Sequence, residues 1–331
     1  MPILDVQGLS VAFDDINGIL KAVDDVNFQL NSEEILCVVG ESGSGKSVTA
    51  KALMRLLNTG KHGFIKGQIL FEDNDIYRMT EKEFCRLRGR DITMISQEPM
   101  SALNPVMTIG DQLIELLKIH KVWSDQDGVE GKLSTDHILD ALNSVHIPDP
   151  QEMMRKYPFE LSGGQCQRVC IAMAILLKPK ILIADEPTTA LDVTTQAEIL
   201  RLIHDIANRV KCSVLFITHD LGVVAELATR VIVMYRGRIV EDAPVNVFFT
   251  EPKHPYSKGL LRSRPSCFDR RFYQIDGQVE ANYGDLDYCL FANRCPERSS
   301  ECYDIQPTLK QVGTNHRVAC LHCSKEDIHL V

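Results

Sequence analysis

Four short apolar runs punctuate the chain, and each adjoins residues able to do chemistry. Ile35-Leu36-Cys37-Val38-Val39 ends at Gly40, Ile181-Leu182-Ile183-Ala184 at Asp185, and Val214-Leu215-Phe216-Ile217 at Thr218-His219. The fourth, Val231-Ile232-Val233-Met234, precedes Tyr235-Arg236-Gly237. Runs this short, without polar alternation, predict buried strands of a parallel sheet. Segments of helical composition lie between them, such as Lys46 to Leu57 and Thr195 to Val210. Strands alternating with helices predict an α/β core, whose ligands gather in the loops after the strand C-terminal ends. Leu4 to Phe13 and Ala22 to Leu30 read instead as an antiparallel β edge. Residues 98–160 read as mostly helical, with a polar, poorly patterned insert from Ser124 to Asp136. After Asp242 prolines recur at 244, 252, 255 and 265, and cysteines cluster. We place a boundary near residue 245, with 1–245 as the main domain and 246–331 as a C-terminal extension.

Composition narrows this picture. The 331 residues are 44% hydrophobic and 24% charged, ordinary for a globular protein with a sizeable core. A net charge of -9 with only short basic stretches argues against a general nucleic-acid footprint. The longest apolar stretch, Val169 to Leu177, falls far short of the roughly 20 residues of a membrane span. The start, Met1-Pro2-Ile3-Leu4-Asp5, has no basic region followed by an apolar one, so no secretory signal is expected. The expected place is the cytosol. Of eleven cysteines, Cys37, Cys85, Cys166, Cys170 and Cys212 are scattered and read as small packing residues. The other six fall between Cys267 and Cys323.

Gly40-Glu41-Ser42-Gly43-Ser44-Gly45-Lys46-Ser47 has the pattern G-x-x-x-x-G-K-S. Its glycines let successive N–H groups turn inward toward phosphate oxygens, and the following helix adds its positive end. Lys46 can reach the outer phosphates and the Ser47 hydroxyl can ligate Mg²⁺. Asp185, at a strand end, can hold Mg²⁺ through water, and Glu186 beside it can activate the attacking water. Leu161-Ser162-Gly163-Gly164-Gln165 opens a second helix, from Gln165 to Leu177, and forms a second anion site. One nucleotide does not need two such sites on one chain. Two chains set head to tail would use both.

With these motifs in order, the chain resembles the nucleotide-binding subunit of an ABC transporter. The resemblance rests on Gly40–Ser47, Gln97 in Ser-Gln-Glu-Pro, Leu161–Gln165, Asp185-Glu186, Ala190-Leu191-Asp192 and His219. It covers roughly residues 1–245 and implies a P-loop, RecA-like α/β core with an antiparallel β subdomain and a helical subdomain at about 98–160. It also implies an ATPase using Mg-ATP, with Glu186, His219, Gln97 and Lys46 as the catalytic set. The implied ATP-binding set is Phe13, Gly40, Glu41, Ser42, Gly43, Ser44, Gly45, Lys46, Ser47, Val48, Gln97, Ser162, Gly163, Gly164, Gln165, Asp185, Asp192 and His219. Ser47, Gln97 and Asp185 would hold Mg²⁺. Phe13 would stack on adenine, the alternative being a buried edge-strand phenylalanine. Ser162 and Gly164 would reach the γ-phosphate held by the opposite subunit, and Asp192 would lie at the dimer seam. Two positions depart from the family pattern: Cys166, where a larger residue is more common, and Glu33, where a turn glycine is.

Gln97-Glu98-Pro99-Met100-Ser101-Ala102-Leu103-Asn104-Pro105 and His254-Pro255-Tyr256-Ser257-Lys258-Gly259-Leu260-Leu261 are similar to the oligopeptide/dipeptide importer ATPases. His254 to Tyr256 are expected to form a packed turn into a helix, with no direct chemistry. Cys289-x5-Cys295-x6-Cys302-x17-Cys320 matches a spacing found in that group, where some members bind a [4Fe-4S] cluster. Four thiolates suit a cluster or a zinc ion, and metal-free packed thiols are the third reading. The implied partners are a second, related ATPase subunit, two membrane permease subunits and an extracytoplasmic solute-binding protein, with the chain peripheral at the cytoplasmic face of the inner membrane. The competing readings are a non-transport ABC ATPase of DNA repair or the ribosome, and a module that holds ATP without turning it over. The first lacks the coiled coils and zinc insertions it usually carries. Glu186 and His219 argue against the second.

Overall fold

A computed structural model of the chain describes residues 2–122, 133–189, 191–263 and 273–323. Among them run twelve strands: β1 (Pro2–Asp15), β2 (Gly18–Asn31), β3 (Ile35–Val39), β4 (Phe64–Phe71), β5 (Asn74–Asp75), β6 (Ile92–Ile95), β7 (Ile181–Asp185), β8 (Ser213–Ile217), β9 (Arg230–Tyr235), β10 (Arg238–Pro244), β11 (Lys310–Gly313) and β12 (His316–Val318). The chain divides into two compact units, one of Met1–Tyr77 with Ile217–Val331 and one of Arg78–Phe216.

The first unit contains an antiparallel sheet in the order β2-β1-β4-β5. From Val26 to Asn31, β2 alternates strictly between buried and exposed residues, the pattern of a strand with one wet face. Strand β3 is buried throughout and runs parallel to β9, Leu36 opposite Arg230 and Val39 opposite Val233. Strands β9 and β10 form a hairpin closed by Arg236 and Gly237, at φ 46° and 81°. Positive φ at both turn residues matches the twist of paired strands. Strands β12 and β11 then add to the far edge of β10, pairing Glu241 with Val318 and Asp242 with Arg317. Residues past 300 thus share a sheet with β3. Glu33, in the turn before β3, has φ 60°. That explains the family glycine, because a side chain in this left-handed region costs about 1 kcal/mol.

The second unit carries the order β8-β7-β6, with β6 and β7 parallel and every residue of β7 buried. Its helices include Ile109–Ile119, Thr135–Ser144, Pro150–Arg155, Gly163–Ile175 and Val193–Val210. Thr108 and Asp149 cap two of them, accepting from the N–H groups of Asp111 and Glu152. Leu113, Leu117, Ile138, Leu142, Val169 and Ile171 are fully buried among them. Most of the polar insert, residues 124–132, lies outside the described residues, as does Ala190.

Candidate functional site

In the first unit, β3 runs directly into the loop Gly40–Ser47. The main chain there comes too close to its neighbours for side chains. A Cβ on Gly40, at φ 152°, would stand 2.2 Å from the Met234 carbonyl oxygen. Gly45, at φ 99°, precedes the helix Lys46–Leu53, and its Cβ would meet the Ala22 carbonyl oxygen at 2.5 Å. Lys46 is buried, and its Nζ donates to the Gly40 and Glu41 carbonyls (2.8 and 3.0 Å) and to Ser44 Oγ (3.3 Å). The cation is therefore folded over the loop's own backbone. Ser42 and Gly43 are exposed at the crest, and Ser47 and Val48 are half-buried in the first helical turn. The Thr218 N–H donates to the Val38 carbonyl at 3.2 Å, so His219, exposed, emerges beside the end of β3. Phe13 is half-exposed on β1, opposite Leu20 of β2.

In the second unit, the parallel pairing of β6 and β7 brings two distant segments together. Asp185 closes β7 and is buried. Glu186 follows with φ 47°, a conformation that costs a non-glycine residue about 1–3 kcal/mol and that clusters at working sites. Its Oε2 accepts from Thr189 Oγ1 at 3.0 Å and from Gln97 Nε2 at 3.3 Å. The carboxylate is thus aimed by two donors, 89 residues apart in the case of Gln97. Ser162 caps the helix Gly163–Ile175. Its Oγ accepts from the Gln165 N–H at 3.3 Å, and its own N–H donates to Gln165 Oε1 at 3.0 Å. This reciprocal box satisfies the first turn locally. Cβ atoms built on Gly163 and Gly164 would meet Leu191 at 3.9 Å and Thr195 at 3.0 Å. The turn therefore lies against the segment holding Asp192, which caps the helix Val193–Val210. The Thr195 backbone N–H holds the Asp192 carboxyl below its ordinary pKa. Cys166 is fully buried, with its Sγ 3.1 Å from Met100 Sδ.

Two residues of the first unit touch the loop without having been expected there. The Glu41 N–H donates to Tyr256 Oη at 2.8 Å, and Arg294 donates to both carboxylate oxygens of Glu41 at 2.6 and 3.0 Å. The packed turn at His254 is present: its Nδ1 accepts from the Tyr256 N–H at 3.1 Å and caps the helix Pro255–Arg262. The Tyr256 hydroxyl adds a contact to the loop that the sequence did not announce.

The cysteine region is close-knit. The Cys289 N–H donates to the Cys302 carbonyl at 2.9 Å, and Cys302 Sγ lies 3.6 Å from His322 Nε2. A hydrogen bond from Cys323 pulls the Cys320 thiol down, and Cys323 is pushed up in turn. Among the described residues, no group of three or more His, Cys, Asp or Glu side chains is arranged to hold a metal ion. The side chains as placed therefore do not fit a cluster without rearranging, although the segments carrying them do meet. Cys267 lies outside the described residues. No described helix is long and apolar enough to cross a membrane.

Comparison with known proteins joins these observations. The fold and the ordered motifs are those of an ATP-binding cassette, and residues 23–189 match the ABC transporter family. Residues 240–302 match the oligopeptide/dipeptide transporter C-terminal region. The dipeptide transport ATP-binding protein DppD of Bacillus subtilis is 45% identical over 320 residues, covering 96% of this chain and 94% of that protein. The oligopeptide transport ATP-binding protein AppD of the same organism is 42% identical, covering 98% of each. Among solved structures, the dimeric cassette MJ0796 bound to ADP and Pi shares the fold, with a TM-score of 0.63 and 24% identity over 73% of this chain and 98% of that one. The cbiO1 protein of Clostridium perfringens, part of an ABC transporter complex, gives 0.59 at 25% identity over 76% of this chain and 91% of that one. The chain belongs to the ABC transporter ATP-binding family and is an ATPase.

Proposed function

We propose that this chain is the motor subunit of an importer for di- or oligopeptides or similar small solutes, coupling ATP binding and hydrolysis to transport by membrane partners. The observation carrying this reading is likeness along nearly the whole chain, C-terminal region included, to transport ATP-binding proteins of that class. A DNA-repair or ribosomal role is not favoured. In this reading residues 1–245 form the ATPase, with its helical part at about 98–160, and 246–331 form the extension.

Glu41 to Val48 cradle the phosphates, Lys46 swings from the loop carbonyls to the outer phosphates, and Phe13 packs on adenine. Ser47, Gln97 and Asp185 hold Mg²⁺, which neutralises phosphate charge when bound. Glu186 accepts a proton from the attacking water, and its bonds to Thr189 and Gln97 aim it. His219 orients the same water. Ser162, Gly163, Gly164, Gln165 and Asp192 serve the nucleotide of a second, related ATPase subunit. Two permease subunits and an extracytoplasmic solute-binding protein complete the importer, with this chain peripheral at the cytoplasmic face of the inner membrane.

Glu186→Gln is expected to keep ATP binding and to trap the closed dimer, and hydrolysis at the parental rate would overturn the role given to Glu186. The ligand set Cys289, Cys295, Cys302 and Cys320 for a [4Fe-4S] cluster is supported by the meeting of its segments and by spacing. Iron and sulfide analysis after anaerobic purification tests it. Absence of both elements with a flat visible spectrum would leave a zinc ion or packed thiols.

A further inference from the structure

We propose that Arg294 is a positioning residue of the ATP site: it clamps the phosphate loop through Glu41 and makes the C-terminal extension part of the nucleotide-binding machinery. This rests on reading Gly40–Ser47 as the phosphate loop.

Glu41 is an awkward residue for that loop. It puts a carboxylate next to Gly40, where triphosphate charge is to be received, and like charges repel strongly at short range away from bulk water. Arg294 answers it with a two-pronged bond, Nη1 to Oε2 at 2.6 Å and Nη2 to Oε1 at 3.0 Å. Such planar, charge-assisted pairs are strong and fix direction as well as distance.

The guanidinium is itself held in place. Its Nε donates to the Asp276 carbonyl at 2.8 Å and Nη2 to the Ile275 carbonyl at 3.3 Å. Its carbon stands 5.8 Å from the Tyr235 ring centre. Its side chain is only 5% exposed, whereas that of Glu41 is 31% exposed, so the cation is buried and the carboxylate keeps one side toward solvent. Tyr256 grips the same residue through the Glu41 backbone N–H. Tyr235, Tyr256 and Phe291 pack mutually, with ring centres 4.7–5.3 Å apart. Backbone and side chain of Glu41 are thus both set from residues beyond 250. With Arg294 removed, the carboxylate is left unpaired beside the incoming phosphates and the loop loses an anchor.

The test uses the full-length protein, with MgATP affinity from displacement of a fluorescent analogue and the thermal midpoint measured alongside. Arg294→Ala is expected to raise the MgATP Kd by about tenfold. Adding Glu41→Gln to that variant should recover most of the loss, because the unpaired charge is gone. A purely structural arginine would show no such recovery. Arg294→Lys keeps the charge without the fork and should weaken binding by roughly threefold. It carries the test if the alanine variant does not fold. Parental affinity in Arg294→Ala at an unchanged midpoint, parental affinity in Arg294→Lys, or strictly additive effects of the two substitutions would overturn the proposal. Lys46→Ala separates the two readings. If it abolishes MgATP binding while the Arg294 variants bind normally, the clamp alone fails; if it binds normally, the phosphate-loop reading fails.

Discussion

Two helix openings in this chain share the same chemistry, serine and glycine ahead of a helical N-terminus, yet they are built in opposite ways. The loop Gly40–Ser47 is held by residues far away in sequence: the carbonyls of Ala22 and Met234 press on its glycines, Gly237 donates to the Ser44 carbonyl, and Tyr256 and Arg294 grip Glu41. The turn Ser162–Gln165 is held by itself, through a four-residue capping box, and Ser162 and Gly163 are exposed. A cradle formed within one chain requires tertiary walls. A turn proposed to serve another subunit requires only to be stiff and accessible.

The sharpest way to break this contrast is to remove the central polar side chain of each region. Lys46→Ala should weaken ATP binding to the isolated chain by about 100-fold or more, whereas Ser162→Ala should leave it unchanged in a titration of the same protein. Equal losses in both would erase the distinction between own site and partner site. Next in size is backbone crowding. Gly40→Ala is expected to cost roughly 3 kcal/mol in chemical denaturation. Gly163→Ala, whose Cβ finds Leu191 at a comfortable 3.9 Å, should stay within about 0.5 kcal/mol.

Acid should separate the regions as well. Burial drives the His254 pKa down to about 4, while the unfolded value is near 6.5. The folded state then binds fewer protons than the unfolded one between those values. Stability is complete above pH 6.5 and falls as pH drops toward 4, by on the order of 3 kcal/mol. Glu241, also buried, has its carboxyl lowered despite the burial penalty, chiefly by the His316 hydrogen bond. Its contribution is present above the unfolded pKa and is lost at still lower pH. Because His254 caps the helix carrying Tyr256, hydrogen exchange at pH 5 should rise in residues 40–45 before 162–166; the reverse order would contradict the buttressing scheme. The cap itself gives a small effect: Ser162→Ala should cost about 1 kcal/mol of stability while lowering hydrolysis only in the assembled dimer.

The same contrast explains what could be read from sequence. The strands β3, β7, β8 and β9 are local patterns, and they appear where the sequence places them, whereas the helix after Ser162 spans Gly163–Ile175 and so starts two residues ahead of the expected Gln165. The pairing of Gln97 with Glu186 follows once β6 and β7 are neighbours, but no short-range signal announces that adjacency. Arg294 and Tyr256 were out of reach, because a lone arginine before Cys295 carries no periodicity or spacing to mark it. The left-handed backbone at Glu186 was equally hidden, since glutamate is a poor advertisement for positive φ, whereas at Glu33 the turn glycine of the family pattern marked it.

The 253 residues separating Glu41 from Arg294 also have a consequence in time. A ribosome working at about 5–20 residues per second needs on the order of 13–50 seconds to travel that distance. The loop therefore leaves the ribosome well before the arginine that steadies it has been made. Throughout that interval the nascent ATPase carries its acidic residue bare, so full nucleotide affinity arrives only when synthesis is almost finished.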